Sequence, residues 1–349
     1  VSEINNIYWS NHAIKALQDK FDANIYGKLF ILVDSHTHQS CLHRLLAGFT
    51  KLPELEILEV EPGEESKSAE VLFQLWQSLS ELEADRHSLL LNLGGGVITD
   101  LGGFLGSTYM RGIDYAHFPT SLLAMVDAAI GGKTGVNLGG YKNRVGSFSE
   151  SVLIGLVPEF LESLPQAELF SGYAEMLKHG LIANENHFWN SVSNLSEAKI
   201  PEAELIGESQ EIKLKIVGED RLESGLRKVL NFGHTAGHAL ESISHQQDSA
   251  LSHGHAIALG MQIALLISQR KTGLDPAKCR DLIGVLKQHY PMPSWRAKQE
   301  SFFEMLKGDK KNRYGHINMV LLTAVGKPVF DQQVEALELW QAYEDILKF

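Results

Sequence analysis

Residues 88–93, Ser-Leu-Leu-Leu-Asn-Leu, run without a break into Gly94, Gly95 and Gly96. An almost wholly apolar run suits a strand buried on both faces, the setting of a parallel sheet covered by helices. The glycines then form a tight turn at the carboxyl end of the strand, where open α/β sheets bind ligands. Residues 29–33, Leu-Phe-Ile-Leu-Val, repeat the pattern and end in the polar stretch 34–38, Asp-Ser-His-Thr-His. A helix is expected over 42–49, a strand over 56–60, a polar loop over 62–68 and a helix over 68–82. Strand and helix therefore alternate through the first 110 or so residues, as in a parallel α/β domain.

From about residue 161 the period changes. Apolar residues recur at spacings of three and four through 168–190, 202–217, 232–243, 255–272 and 277–289, which predicts helices. A short strand over 317–322 and a terminal helix from about 332 to 347 close the chain. At 349 residues the chain is too long for one hydrophobic core, and two domains are expected, 1–160 and 161–349. The net charge of −12 argues against nucleic acid and against an anionic membrane surface as partners. Cys41 and Cys279 form no CxxC pair, so neither a disulfide framework nor a thiolate zinc site is indicated. No apolar stretch is long enough to span a bilayer, and residues 1–6 lack the pattern of a signal peptide. A cytoplasmic enzyme is the expectation.

Several motifs point to chemistry, each with a plainer alternative. The glycine turn fails the GxGxxG fingerprint because position 99 is Thr, yet its backbone could still approach a pyrophosphate. A tight turn without a ligand is the alternative. Asp100, one turn into the following helix, could bond a nicotinamide or ribose group. The stretch 131–135, Gly-Gly-Lys-Thr-Gly, resembles a P-loop end, but Asp127 stands where that motif needs glycine. Lys133, Lys142, Asn143 and Arg144 could instead line a phosphate or carboxylate pocket, the alternative being solvated surface charges. His234 and His238 stand one helical turn apart, and His253 precedes a long apolar run. Together they could bind a metal, or they could be hydrogen-bonded core histidines. Glu175 and Lys178 share a helical face as an i, i+3 pair. Glu175 could complete a His2Glu metal site; His179 competes for that role but carries no charge to offset the ion.

In chain order these stretches resemble the 3-dehydroquinate synthases, members of the sugar phosphate cyclases. The similar segments are 62–68, 94–104, 107–137, 141–148, 171–180, 225–241 and 251–261, spread over most of the chain. The resemblance implies an α/β fold: an N-terminal parallel-sheet nucleotide-binding domain followed by an all-helical metal-binding domain. It implies a divalent metal, zinc or cobalt, on Glu175, His234 and His253, and moves His238 to the substrate side. Substrate contacts would come from Asp127, Lys133, Lys178, Lys213, Arg227, Asn231 and His238. Phosphate would meet Arg111, Lys142, Asn143 and Lys310. NAD would be contacted by Asp34, Glu64, Lys67, Gly95, Gly96, Val97, Asp100, Thr120, Leu123, Lys133 and Lys142. A homodimer is implied as well.

The reaction implied converts 3-deoxy-D-arabino-heptulosonate 7-phosphate to 3-dehydroquinate and phosphate. It proceeds by transient oxidation with NAD, β-elimination of phosphate, re-reduction, ring opening and an intramolecular aldol. Another sugar phosphate cyclase, or a metal-dependent polyol dehydrogenase, is the alternative; the dehydrogenase would not need Lys133, Lys142 and Arg227. The sequence departs from the family pattern in places. Thr99 replaces a usual glycine and Ser121 a usual threonine. The stretches 136–142 and 149–151 differ from the usual loop, and His255 replaces a common glutamate beside the metal histidine, which bears on ligand orientation.

Overall fold

The computed structural model describes residues 6–139, 141–307 and 317–349, the side chains of Tyr141 and Lys307 excepted. The chain folds as two compact units, Val1–Pro165 and Gln166–Phe349. No helix among the described residues is long and apolar enough to cross a membrane.

The first unit holds strands β1 (Ile7–Trp9), β2 (Lys28–Asp34), β3 (Glu54–Val60), β4 (Ser88–Gly94) and β5 (Tyr115–Pro119). A hairpin follows, β6 (Lys133–Leu138) and β7 (Tyr141–Phe148), and then β8 (Leu153–Leu156). Six strands form one sheet in the order β1-β8-β5-β4-β2-β3, with every neighbouring pair parallel. The apolar runs behave as their composition demands: β4, β5 and β8 are buried along their whole length, and β2 everywhere but its ends. From β2 the chain steps outward to β3, then returns past β2 to β4. The order reverses between β2 and β4, so the loops leaving their carboxyl ends diverge and leave a crevice.

Helix α1 (Ser10–Asp22) follows β1, α2 (Ala69–Glu81) follows β3, and α3 (Gly96–Thr108) starts at the glycine turn. The Ser68 hydroxyl caps α2 by accepting from Val71 N at 3.3 Å. Leu72, Leu75 and Leu79 of α2 and Ile98, Leu101 and Leu105 of α3 share a core with Phe30, Leu32, Leu58 and Leu90 of the sheet. Each such side chain stabilises the fold by roughly 1.5–3 kcal/mol relative to exposure. α3 lies so near β4 that a Cβ at Gly102 would stand 1.9 Å from Asn92 Oδ1. Only glycine permits that approach.

Among the described residues, the second unit is helical apart from one strand pair. Its helices are α4 (Gln166–Ala183), α5 (Glu185–Ser196), α6 (Ala203–Glu219), α7 (His234–Ser244), α8 (His253–Lys271), α9 (Pro276–His289), α10 (Gln299–Lys307) and α11 (Ala336–Lys348). The helix expected over 168–190 is two helices. Asn184 adopts an extended backbone and its side chain accepts from Asn186 N and His187 N, which ends α4 and caps α5. α8 is buried on all sides from Ala256 to Ser268 and is the helix around which the unit packs. The late strand is β9 (Ile317–Ala324), paired antiparallel with β10 (Lys327–Val334). The terminal helix therefore starts at Ala336, not near 332 as its periodicity suggested, because Gly326, at φ +77°, turns the chain back along β9.

Candidate active site

In the second unit, four side chains from three helices converge. Glu175 lies in the middle of α4, His234 opens α7 with His238 one turn later, and His253 opens α8. Gly233 makes this start of α7 possible. Its φ is +81°, and a Cβ there would lie 2.6 Å from Met261 Cγ.

Glu175 is fully buried, with His253 Nε2 3.6 Å and His234 Nε2 3.9 Å from its Oε1. Lys178 is ion-paired with Oε2, yet no hydrogen bond of ordinary geometry from the described residues reaches either oxygen. A buried carboxylate in that state calls for a further positive partner. Around a tetrahedral ion with bonds of 2.0–2.1 Å, ligand atoms stand roughly 3.3 Å apart, so a small contraction would satisfy all three donors. The ligating nitrogens of His234, His238 and His253 lie within 4.8 Å of one another, which defines a second donor set. Charge favours the set with Glu175, since three neutral imidazoles leave the ion's charge unbalanced. His238 is the exposed member of the cluster.

The surroundings hold the imidazoles in ligating orientation. His234 Nδ1 lies 3.3 Å from the Phe232 carbonyl, to which it can only donate, leaving the Nε2 lone pair toward Glu175. His253 Nδ1 faces the carboxylate of Glu241 at 3.5 Å. Burial works to raise the Glu175 carboxyl, but Lys178, His253 and His234 override it and hold it well below the usual carboxylate range. Burial holds His234 well below the usual imidazole value, with Lys178 adding to the effect. For His253 burial is outweighed by the carboxylates of Glu175 and Glu241, and the ring is raised to about 9. His179 turns its Nδ1 to Ser209 Oγ at 2.7 Å, so that nitrogen serves α6.

The cationic residues of this unit are held by nearby elements. Lys178 is ion-paired with Glu175 as described, and Lys213 is buried on α6. Arg227 and Asn231 sit on the short 3-10 segment Leu226–Asn231, which packs against α4 and α6. Arg227 is 1% exposed and donates from Nη1 to the Arg221 carbonyl at 2.6 Å. Asp220 pins the approach to it, accepting from Gly225 N at 2.7 Å and Arg227 N at 3.0 Å with one oxygen and from Ser224 N with the other. Asn231 donates to Glu223 Oε1 at 2.6 Å.

In the first unit the crevice edge carries Asp34 at the end of β2, Gly95, Gly96 and Val97 after β4, and Thr120 and Leu123 after β5. Asp34 Oδ1 accepts from Thr37 N at 2.8 Å. α3 begins at Gly95 with no side-chain cap and no acidic residue in its first turn, leaving N–H groups for an anion. A Cβ at Gly95 would lie 3.3 Å from Ser121 Oγ, so backbone and side chain already crowd there. Thr99, where the family has glycine, is buried and satisfies its hydroxyl on the Gly96 carbonyl at 3.1 Å. Lys67 is ion-paired with Asp100. Glu64 accepts from Asn137 Nδ2 at 2.7 Å, and Asn143 N donates to Asn137 Oδ1 at 2.8 Å.

Asp127 is half-buried on the turn Ala124–Ala128, while Lys133, Lys142 and Asn143 are exposed on the hairpin. Arg111 precedes β5, at the end of that strand opposite Thr120, and so is not gathered with the glycine turn. Arg111 and Asn143 both have left-handed backbones, φ +67° and +51°. Lys310 lies outside the described residues. Sequence reading assigned no role to Glu241, Asp220 or Asn137. Glu241 carried a signal, since it stands seven residues after His234 and so on the same helical face. The contact of Asn137 with Glu64 joins residues 73 apart in sequence and left none.

Two family models match the chain: 3-dehydroquinate synthase N-terminal over residues 57–171, and 3-dehydroquinate synthase C-terminal over 172–312. The 3-dehydroquinate synthase of Parabacteroides distasonis is 41% identical over 325 residues, 91% of this chain and 91% of that protein. Among solved structures, a 2-epi-5-epi-valiolone synthase from Streptomyces hygroscopicus subsp. jinggangensis, with NAD+ and Zn2+ bound, is similar at a TM-score of 0.85 and 26% identity. That match covers 100% of this chain and 98% of the other. A 2-deoxy-scyllo-inosose synthase complexed with carbaglucose-6-phosphate, NAD+ and Co2+ reaches a TM-score of 0.87 at 24% identity, over 98% and 96% of the two chains. At that identity the likeness is one of fold.

Proposed function

The chain belongs to the 3-dehydroquinate synthase family and is an NAD- and metal-dependent lyase; from that premise we propose which residues carry the reaction. The substrate is 3-deoxy-D-arabino-heptulosonate 7-phosphate and the products are 3-dehydroquinate and inorganic phosphate. The observation that carries the reading is the buried Glu175 carboxylate facing His234 and His253, a donor set matched to a divalent ion such as zinc or cobalt.

When bound, NAD supplies a reversible hydride acceptor and the divalent ion a Lewis acid that polarises substrate oxygen. The chain's own residues do the rest. Glu175, His234 and His253 hold the ion. The glycine turn and the bare start of α3 receive the dinucleotide pyrophosphate, with Asp34, Glu64, Lys67, Asp100, Thr120 and Leu123 around the remainder. Lys133, Lys178, Lys213 and Arg227 offset negative charge as it develops on substrate oxygens, and burial of the last three strengthens them. Asp127 and Asn231 orient substrate hydroxyls. Arg111, Lys142, Asn143 and Lys310 hold the phosphate that leaves. His238, exposed at the edge of the cluster, moves a proton near neutral pH. The protein works as a homodimer in the cytoplasm, a reading supported by family resemblance alone.

The test is phosphate release from the heptulosonate phosphate with metal and trace NAD, while absorbance reports NADH. Many phosphates per NAD with no accumulating NADH is the expected result. Stoichiometric NADH from a simple polyol, without phosphate release, would move the protein to the dehydrogenases.

A further inference from the structure

The start of α8 carries His253 into the cluster, and its backbone is fastened to α4. Ser171 lies on α4 one turn before Glu175, so the two side chains share a helical face. The Ser171 Oγ accepts from the backbone N–H of Gly254, the residue after His253, at 2.9 Å. Both residues are buried. The first N–H groups of a helix have no partner within it. In α8 the helix's own cap, the Ser252 hydroxyl, takes the N–H of His255 at 3.4 Å, while α4 supplies the acceptor for Gly254. The two backbones also touch here: a Cβ at Gly254 would lie 2.2 Å from the Ser171 carbonyl oxygen. The neighbouring Phe170 carbonyl accepts from Tyr290 Oη at 2.8 Å, and the Tyr290 ring meets His255 edge-on with centroids 5.8 Å apart. Helices α4 and α8 are thus joined beside the donor set, by a hydrogen bond one turn from Glu175 and one residue from His253.

Distance decides what that join does. Glu175 Oε1 and His253 Nε2 are 3.6 Å apart, close to the roughly 3.3 Å between two donors on a tetrahedral ion. Coordination bonds tolerate a misplacement of only about 0.2 Å. The two donors come from different helices, so the spacing of those helices must be held before the ion arrives. We propose that Ser171 is a positioning residue of the metal site: by holding the Gly254 N–H, it sets His253 at ligating distance from Glu175. The inference rests on the ligand set of the proposed function. Without the hydroxyl, the buried Gly254 N–H loses its acceptor, and the start of α8 shifts to regain one from water.

Zinc affinity of the whole protein, read by competition with a chromophoric chelator, tests it. Ser171→Ala should lose affinity by about tenfold or more. Its cobalt-loaded form should show an altered visible spectrum, since absorption by the bound ion follows its ligand geometry. Ser252→Ala removes a cap of the same helix but leaves the join to α4. It should keep the wild-type cobalt spectrum and lose less zinc affinity than Ser171→Ala. Unchanged zinc affinity or an unchanged cobalt spectrum in folded Ser171→Ala, or an equal loss in Ser252→Ala, overturns the proposal. If Ser171→Ala does not fold, amide exchange in the metal-free wild type decides. The Gly254 N–H should be protected there, and exchange at the rate of an open amide would overturn the proposal. His253→Ala separates the two ways of failing. If it loses zinc while Ser171→Ala keeps it, the positioning role alone is lost. If it binds zinc as the wild type does, the assigned ligand set is wrong and the proposal falls with it.

Discussion

Glu241 is 4% exposed and places its carboxylate 3.5 Å from His253 Nδ1, on the far side of the ring from Glu175. A carboxylate there fixes the imidazole's orientation and tautomer and raises its basicity as a ligand. Two effects oppose each other when it is neutralised. In Glu241→Gln the His253 proton is held less tightly, which eases metal entry, while the ring loses its orienting partner. Losses at such positions run to about 10–100-fold in metal affinity, and the orientation term wins. Zinc affinity of Glu241→Gln should therefore fall by about that factor, read by competition with a chromophoric chelator. The wild-type ring, at about 9 before metal binds, must shed its proton, so metal affinity should rise with pH up to that value. Titration in buffers of different ionisation enthalpy should show fewer protons released per zinc in the variant. Equal affinity and equal proton release would remove Glu241 from the site. The residue answers for the glutamate that His255 replaces only in part: His255 points its Nε2 at the Pro291 carbonyl at 2.8 Å, and the carboxylate facing His253 comes from α7 instead.

At the scale of elements, α3 is held by contacts that tolerate no side chain at one face. A methyl at Gly102 would meet Asn92 Oδ1 at 1.9 Å, and Asn92 cannot swing away cheaply because it is fully buried and donates to His117 Nδ1 at 3.2 Å. Burial holds that ring neutral, pushed down to about 3, so it is available as an acceptor. Alanine would gain roughly 1 kcal/mol in helix propensity and lose roughly 1–3 kcal/mol to overpacking. With an overlap this severe the loss should prevail, and Gly102→Ala should lower the urea midpoint and weaken NAD by tilting the start of α3. A raised midpoint would mean propensity alone governs the position. Elements of this kind are legible where one segment's composition decides its burial: the apolar runs at β2 and β4, the helix after the polar loop 62–68, and the long apolar run inside α8. They are illegible where the partner is distant. The pairing of β6 with β7 is hidden in a glycine-rich stretch that reads as pocket lining, and the helical period from about 332 overlaps only the last residues of β10, although Gly326 marks the turn. For the proposed metal set, spacing puts His234 and His238 on one helical face but does not choose between His238 and His253; the nearness of Glu175 to His253 and His234 supports the choice proposed.

Across the whole molecule the assigned ligands divide by unit. Every residue proposed for NAD, from Asp34 to Lys142, belongs to Val1–Pro165, and every proposed metal ligand belongs to Gln166–Phe349. The residues proposed for the substrate are found in both, Lys133 and Lys142 in one and Lys178, Lys213 and Arg227 in the other. This cationic set accounts for an anionic substrate on a chain of net charge −12. Intrinsic affinity for each cofactor should then be set within one unit, while turnover needs both. His253→Ala is the cleaner probe of the metal side than Glu175→Ala, because Glu175 is also ion-paired with the buried Lys178, and breaking a buried pair costs about 3–5 kcal/mol. His253→Ala should lose zinc affinity by at least about 100-fold yet bind NAD with an unchanged Kd, since a nitrogen that ligates the ion counts for more than a group that only orients a ligand. Lys67→Ala should do the reverse, and both should release no phosphate. If NAD binding failed together with zinc in His253→Ala, the cofactors would share residues, and the division of labour between the two units would have to be abandoned.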